Sequence, residues 1–235
     1  MRFLIKRPFR EIAIIAVVVA LAPAAVLLIF RVINPPASAF MTLTAAKLHN
    51  QHPAREIVHQ WVDLDRIADC MPLAAVAGED QTFPSNHGFV WSSIERALKH
   101  NADGGAVHGA STITQQTAKN LFLIPAKSYI RKGIEAYITV WMDLLWSKRR
   151  VIEVYLNIAQ FSDTAFGVQA AAKQLFHRNA SQLSRGECAA LAAVLPAPDE
   201  YDAAHPGRYV SGRQAWILRQ MRHLGPHYLD DALDN

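Results

Sequence analysis

From Ile12 to Phe30 the chain carries no charge, and basic residues flank this apolar run: Arg2, Lys6, Arg7 and Arg10 before it, Arg31 after it. The run is about long enough to cross a bilayer and exceeds the apolar core of a cleavable signal. Its basic leading flank places the amino terminus in the cytoplasm and sends the remainder across the membrane. Residues 1–11 therefore read as a cytoplasmic basic tail and 12–33 as a single-pass transmembrane anchor. Two readings compete with the anchor: a buried core helix, against which the basic flank and the lack of a polar face argue, and a cleaved signal, since Ala37-Ser38-Ala39 resembles a peptidase site.

Asn34-Pro35-Pro36-Ala37-Ser38 breaks the pattern, so 34–55 reads as a linker leading into the domain and 56–235 as the domain itself. Here the spacing of apolar positions is helical. Ile130, Ile134, Tyr137, Ile138, Trp141, Leu144 and Leu145 step by three and four, which decides for helix despite their β-branched and aromatic members. Similar patterning or composition predicts helices over 57–67, 73–78, 91–99, 111–123, 131–147, 149–158, 166–175, 184–195 and 210–221. Evidence for strands is thin. The fold class expected is mainly α.

With 235 residues, 51% of them hydrophobic, one main domain is the better expectation. The formal net charge of +4 is mild, and no nucleic-acid partner is expected. Cys70 and Cys188 would lie in an oxidising compartment beyond the membrane, though two cysteines alone do not establish a pairing. Ten histidines are scattered without a ligand-set spacing, so no metal site is read from them.

Gly109 to Asn120 spends hydroxyls, amides and an ammonium where a surface helix would spend charge pairs. Thr112 followed by Gln115 fits a capping box, so a helix starts near Ser111 or Thr112 with its free N–H groups outward. Thr112, Gln115, Gln116 and Lys119 share one face, suited to a hydroxyl-rich ligand with an anionic end. A plain solvated face is the bland alternative. Upstream, the apolar segment Pro72–Gly78 runs into Glu79-Asp80, acids at the negative end of a short helix, where desolvation and like charge would raise a pKa. Arg131, Lys132 and Glu135 put two cations within reach of one carboxylate. Lys148-Arg149-Arg150 alone reads equally as a solvated charge run or a helix terminus.

In order, Glu79-Asp80-Gln81-Thr82-Phe83, then Gly109 to Asn120, then Arg131-Lys132-Gly133-Ile134-Glu135, then Ser147 to Asn157 resemble the motifs of the peptidoglycan glycosyltransferases. The likeness continues through Phe166–Ala172 and Leu183–Leu191 and is to the monofunctional biosynthetic branch of the family shared with class A penicillin-binding proteins. It implies a lysozyme-like helical domain with a membrane-proximal jaw that polymerises lipid II into β-1,4-linked strands, with inversion and release of undecaprenyl diphosphate. It implies a bacterial inner-membrane protein with its catalytic domain in the periplasm. By resemblance Glu79 is the general base and Glu135 the second essential acid. Asp80, Phe83, Ser111, Thr112, Gln115, Gln116, Lys119, Asn120, Arg131, Lys132, Lys148 and Asn157 are the expected substrate-binding positions.

No cofactor is required with certainty, while a divalent cation, Mg or Mn, could accompany the diphosphate. Expected partners are lipid II, the growing strand and the membrane, with cell-division or elongation proteins as further candidates. The chain departs from the family pattern at Asn86, Val90 and Gln160, where the family commonly has histidine, aspartate and glutamate. A lysozyme-like hydrolase would also use a glutamate on such a fold but would not require a basic cluster spread over three motifs. A scaffold with a weakened site is the non-enzymatic alternative.

Overall fold

Serine and threonine hydroxyls set the starts of several helices in the computed structural model, which describes residues 6–92, 95, 111–126 and 128–234. Ser38 caps α2 (Ala39–Gln51), Thr112 caps α4 (Ile113–Phe122), Ser147 caps α6 (Lys148–Ile158) and Ser184 caps α8 (Arg185–Val194). Each side chain accepts an N–H that the first turn cannot satisfy internally. The other helices are α1 (Lys6–Phe30), α3 (Cys70–Glu79), α5 (Tyr129–Leu145), α7 (Val168–Phe176), α9 (Arg208–Leu224) and α10 (Asp230–Leu233). The described chain is mainly helical, as its periodicity requires.

Helix α3 is apolar all round, and Met71 to Ala77 are all buried. It packs against α8 and α9, and the alanines of α3 and α8 let the backbones approach closely. A disulfide between Cys70 and Cys188 joins α3 to α8, with Cα atoms 6.0 Å apart. Helix α4 packs on α5 and α6, and α5 packs on α1. Two helix groups thus meet where the end of α3 faces α4.

Residues 57–67 are not the expected helix. Val58–His59 pairs in parallel with Ala165–Phe166, and only Leu64–Arg66 makes a 3₁₀ turn. The cause is Asn157, whose amide accepts from Val62 N–H and donates to Val62 C=O, both at 2.8 Å, holding that backbone out of a helix. Phe166 consequently belongs to a strand rather than to α7. Gly167, at φ +79°, makes the turn between them against the backbone of Asn157, where a Cβ would stand 2.6 Å from a carbonyl oxygen. The stretch read as linker also holds structure: α2 buries Met41 and Leu48 and packs on α4. The helix expected over 91–99 lies largely outside the described residues, as do Gly109, Ala110 and Lys127.

Helix α1 begins within the basic tail, at Lys6. Among the described residues no helix is long and apolar enough to cross a membrane; the side chains of Ile12, Ala13, Ala16 and Val19, inside α1, lie outside that description. The carboxyl end of α1 is docked firmly. Trp146 donates to Leu27 C=O at 2.8 Å, and Arg150 donates to Phe30 C=O at 2.9 Å and Ile33 C=O at 3.0 Å. Orphan carbonyls and the negative dipole end are thereby met by one guanidinium, which Glu153 also pairs.

Candidate active site

Glu79 is the last residue of α3, and the helix end aims its carboxylate at the two neighbouring helices. Oε2 accepts from the amide of Gln116 on α4 at 2.9 Å, and Oε1 accepts from Arg213 on α9 at 3.1 Å. The side chain is 14% exposed. Burial raises its pKa above the ordinary carboxylate range, and the hydrogen bonds from Gln116 and Arg213 together with the charges of Arg213 and Lys119 only partly counter this. The result is a shielded, proton-hungry carboxylate with directed lone pairs.

A second acid stands beyond Lys119. Glu135 is 1% exposed and is held by Arg131 at 2.7 Å and by Lys132, whose ammonium also donates to Ser111 at 3.3 Å. Lys119 lies within electrostatic reach of both glutamates and of both cations, and burial lowers its pKa. Three cations thus surround one buried carboxylate and leave an excess of positive charge beside the Glu79 carboxylate. Such a field suits an anionic group placed beside that carboxylate. Among the described residues no group of three or more His, Cys, Asp or Glu side chains is placed to hold a metal ion.

Other expected positions act through the framework. Asp80 accepts from Asn86 at 2.9 and 3.0 Å, from Thr82 at 2.9 Å and from the Ile113 N–H at 3.1 Å, so its carboxylate sits at the positive end of α4. Thr112 and Gln115 form a reciprocal capping box and are buried, so neither shares an open face with Gln116 and Lys119. Lys148 donates to Asn86 C=O at 2.5 Å and stands 5.1 Å over the ring of buried Phe83. Its other neighbour is Asp143, at 3.4 Å. Asn157 is spent on the Val62 backbone and on Glu153 C=O. Asn120 is half-buried near the end of α4. The structure therefore gathers Glu79, Ser111, Gln116, Lys119, Arg131, Lys132 and Glu135, and sets Asp80, Phe83, Thr112, Gln115, Lys148 and Asn157 behind them.

Asn86, at one departure from the family pattern, is buried and bridges Asp80 to the Gly88 N–H, so an amide completes this scaffold without a titrating group. Gln160 closes a local turn by donating to Ser162 C=O at 2.9 Å. Two residues went unread in the sequence. Arg213 looks like any surface arginine of an amphipathic helix, and Tyr155 like a core aromatic. Yet Tyr155, fully buried, donates to Gln116 Oε1 at 3.2 Å and orients the amide that faces Glu79.

Comparison with known proteins identifies the family. Residues 45–222 match the transglycosylase family. A biosynthetic peptidoglycan transglycosylase of Xanthomonas campestris pv. campestris strain B100 is 47% identical over 226 residues, covering 95% of this chain and 92% of that protein. One from Xanthomonas euvesicatoria is 50% identical over 204 residues, covering 86% and 82%, and one from Xylella fastidiosa strain 9a5c is 43% identical over 226 residues, covering 94% and 92%. The match spans the α3–α4 junction, the cation cluster and most of α9, and the chain belongs to the transglycosylase family.

Proposed function

We propose that this protein is a peptidoglycan glycosyltransferase that polymerises lipid II into β-1,4-linked glycan on a lysozyme-like helical domain and releases undecaprenyl diphosphate. The observation that carries the reading is the pairing of a buried, directed carboxylate with an adjoining cation cluster. A sugar hydroxyl is a poor nucleophile at neutral pH, so Glu79 accepts its proton as the hydroxyl attacks the anomeric carbon of the donor. Diphosphate is already a competent leaving group and needs its growing negative charge met rather than protonated. Lys119, Arg131 and Lys132 meet it, and Glu135 fixes the last two in place. A single displacement inverts an α-linked donor to a β bond without a covalent intermediate. The carboxylate donors that a divalent cation would want are already occupied by these side chains, so no step is assigned to a metal.

Peptidoglycan synthesis places the enzyme at the membrane, acting in the periplasm. The finer reading is a single-pass anchor over residues 12–33 with the amino terminus cytoplasmic. Its support is the uncharged run, the basic flank and the docking of the α1 carboxyl end onto the domain. A jaw near the bilayer then follows, because α5 packs on α1 and exposes Ile130, Ile134 and Leu144. The test is incubation of the purified full chain with labelled lipid II, with Glu79→Gln alongside. Lysozyme-sensitive polymer from the unsubstituted protein alone is the expected result; no polymer from it, or equal polymer from the variant, refutes the reading.

A further inference from the structure

On the far side of Glu79 from Gln116, the surface of α9 forms an open groove of about 650 Å³ lined by Arg208, Tyr209, Gly212, Arg213 and Trp216. Tyr209, Gly212, Arg213 and Trp216 recur at i, i+3, i+4 and i+7, so they make one stripe. Gly212 leaves the middle of that stripe without a side chain, with nothing within 4 Å of where a Cβ would stand. Tyr201 stacks on Tyr209 with ring centroids 4.7 Å apart, and the Arg213 guanidinium lies 5.9 Å over the ring of Trp216. Tyr209 and Trp216 nevertheless stay 50% and 36% exposed. Two part-exposed aromatic rings thus stand about 10 Å apart along the helix with a shallow floor between them; one face of Tyr209 is backed by Tyr201, one face of Trp216 by Arg213, and Arg208 stands at the outer edge.

We propose that this groove is a saccharide-binding platform for lipid-free amino-sugar glycan, the part of the strand that has left the membrane. Aromatic faces suit the C–H-rich faces of pyranose rings, and the spacing of Tyr209 and Trp216 matches one disaccharide repeat of a β-1,4-linked strand, so the two rings would meet alternate sugars. Arg208 and Arg213 add charge complementarity, because the muramyl ether and stem peptide of such a strand carry carboxylates. The groove is built on α9, which packs on α3 and α8, whereas the exposed apolar stripe belongs to α5, which packs on α1 and α4. A polyprenyl chain therefore has its apolar surface elsewhere, and the occupant here is sugar. Arg213 links the platform to the base, since one guanidinium nitrogen bonds both Gly78 C=O and Glu79 Oε1 at 3.1 Å. A strand seated on Trp216 and Arg213 runs directly to the Glu79 carboxylate.

The inference rests on the glycan-polymerising reading, and its test separates the two. Calorimetric titration of the full chain in detergent uses lipid-free, uncrosslinked glycan strands of defined length that retain their stem peptides. The unsubstituted protein should bind these strands. Trp216→Ala and Tyr209→Ala should each weaken binding roughly tenfold, and Trp216→Phe, which keeps a stacking face, should recover most of the loss. No binding by the unsubstituted protein, undiminished binding by both alanine variants, or a phenylalanine variant as weak as the alanine one overturns the platform. Lipid II polymerisation by the unsubstituted protein is measured in parallel; its failure beside intact strand binding refutes the enzymatic reading and leaves the groove standing.

Discussion

Tyr155 donates its hydroxyl to Oε1 of Gln116, and this decides which end of that amide meets the base. Burial, reinforced by the charges of Glu79 and Asp80, pushes the Tyr155 pKa well above its ordinary value, so the phenol keeps its proton and remains a donor. Gln116 must then turn its NH₂ toward Glu79 Oε2. A hydroxyl separated from the Glu79 carboxylate only by the Gln116 amide thus favours the ionised form of that carboxylate.

Removing this orientation should be visible in a pH profile. Tyr155→Phe keeps the ring and its packing but frees the Gln116 amide to rotate, so the carboxylate loses a donor that lowers its pKa. A base works only when deprotonated, and Glu79 already starts from a raised value. The acid limb of kcat/KM should therefore move to higher pH in Tyr155→Phe and further in Gln116→Ala, with activity near neutrality down by about three- to tenfold. A limb that stays in place in both variants would show that Gln116 does not tune the base.

Lys119 sets the opposite limb. Burial lowers its pKa, so rising pH removes its charge earlier than for an exposed lysine, and with it the stabilisation of diphosphate. The profile should be a bell narrowed from both sides, and Lys119→Arg should extend its alkaline side because guanidinium does not titrate there. Lys119→Ala should cut kcat by about a hundredfold or more. Steady-state rates on lipid II from acid to alkaline pH check both statements.

Asp80 acts on the same chemistry through structure. Its carboxylate ties the Glu79 turn to the first N–H of α4, the helix that carries Gln116 and Lys119. Asp80→Ala leaves the Asn86 amide and the Ile113 N–H buried without this acceptor, at a cost of about 3 kcal/mol. Denaturant titration should record that loss, and kcat should fall more than KM rises because the base and its amide partner separate.

How much of this was legible in the sequence depends on whether the signal was local. Thr112 and Gln115 announced the start of α4 because a capping box is completed within four residues. The stepping of Ile130 to Leu145 likewise gave α5. The extended path at 58–62 was hidden because its cause, the Asn157 amide, lies about a hundred residues away. Arg213 escaped for the same reason: its partner is 134 residues distant, and nothing on α9 distinguishes it from Arg219 or Arg222. Alternation of apolar residues could not separate a linker from α2 either, since Ser38 and the burial of Met41 and Leu48 make sense only once α4 is packed against them.

The Cys70–Cys188 pair closes a loop with a sequence separation of 118, and it joins the start of the base-bearing helix to α8. On the chain-entropy account such a loop is worth up to about 5 kcal/mol. Cys70→Ser with Cys188→Ser, or chemical reduction, should lower the thermal midpoint by several degrees and leave the pH limbs unmoved, since neither sulfur touches Glu79. Calorimetry with and without reductant measures the first, and a rate profile of the double variant the second.

The last prediction concerns which residues of the stretch 121–130 meet the membrane. The segment is rich in apolar residues, but its side chains divide. Leu121 is buried at 4% exposure in the core, and Phe122 stacks on Phe30 with centroids 6.4 Å apart, holding the end of α4 against the end of α1. Ile124, Tyr129 and Ile130 are exposed, and Ile130 opens a stripe with Ile134, Tyr137 and Leu144 along α5. Tyr137 donates to Ala20 C=O, so this stripe borders α1 directly. An apolar helix face beside the proposed anchor, with Arg131 and Lys132 on the same helix, is the composition of an interfacial segment near anionic head groups. Ile130→Ser with Leu144→Ser should therefore raise KM for full-length lipid II in vesicles several-fold, while leaving both the thermal midpoint and the rate on a water-soluble short-chain donor unchanged. Phe122→Ser should instead lower the thermal midpoint. Equal KM values for both donors in the double variant would mean that this face does not deliver the lipid, and that the polyprenyl chain reaches Lys119 by another route.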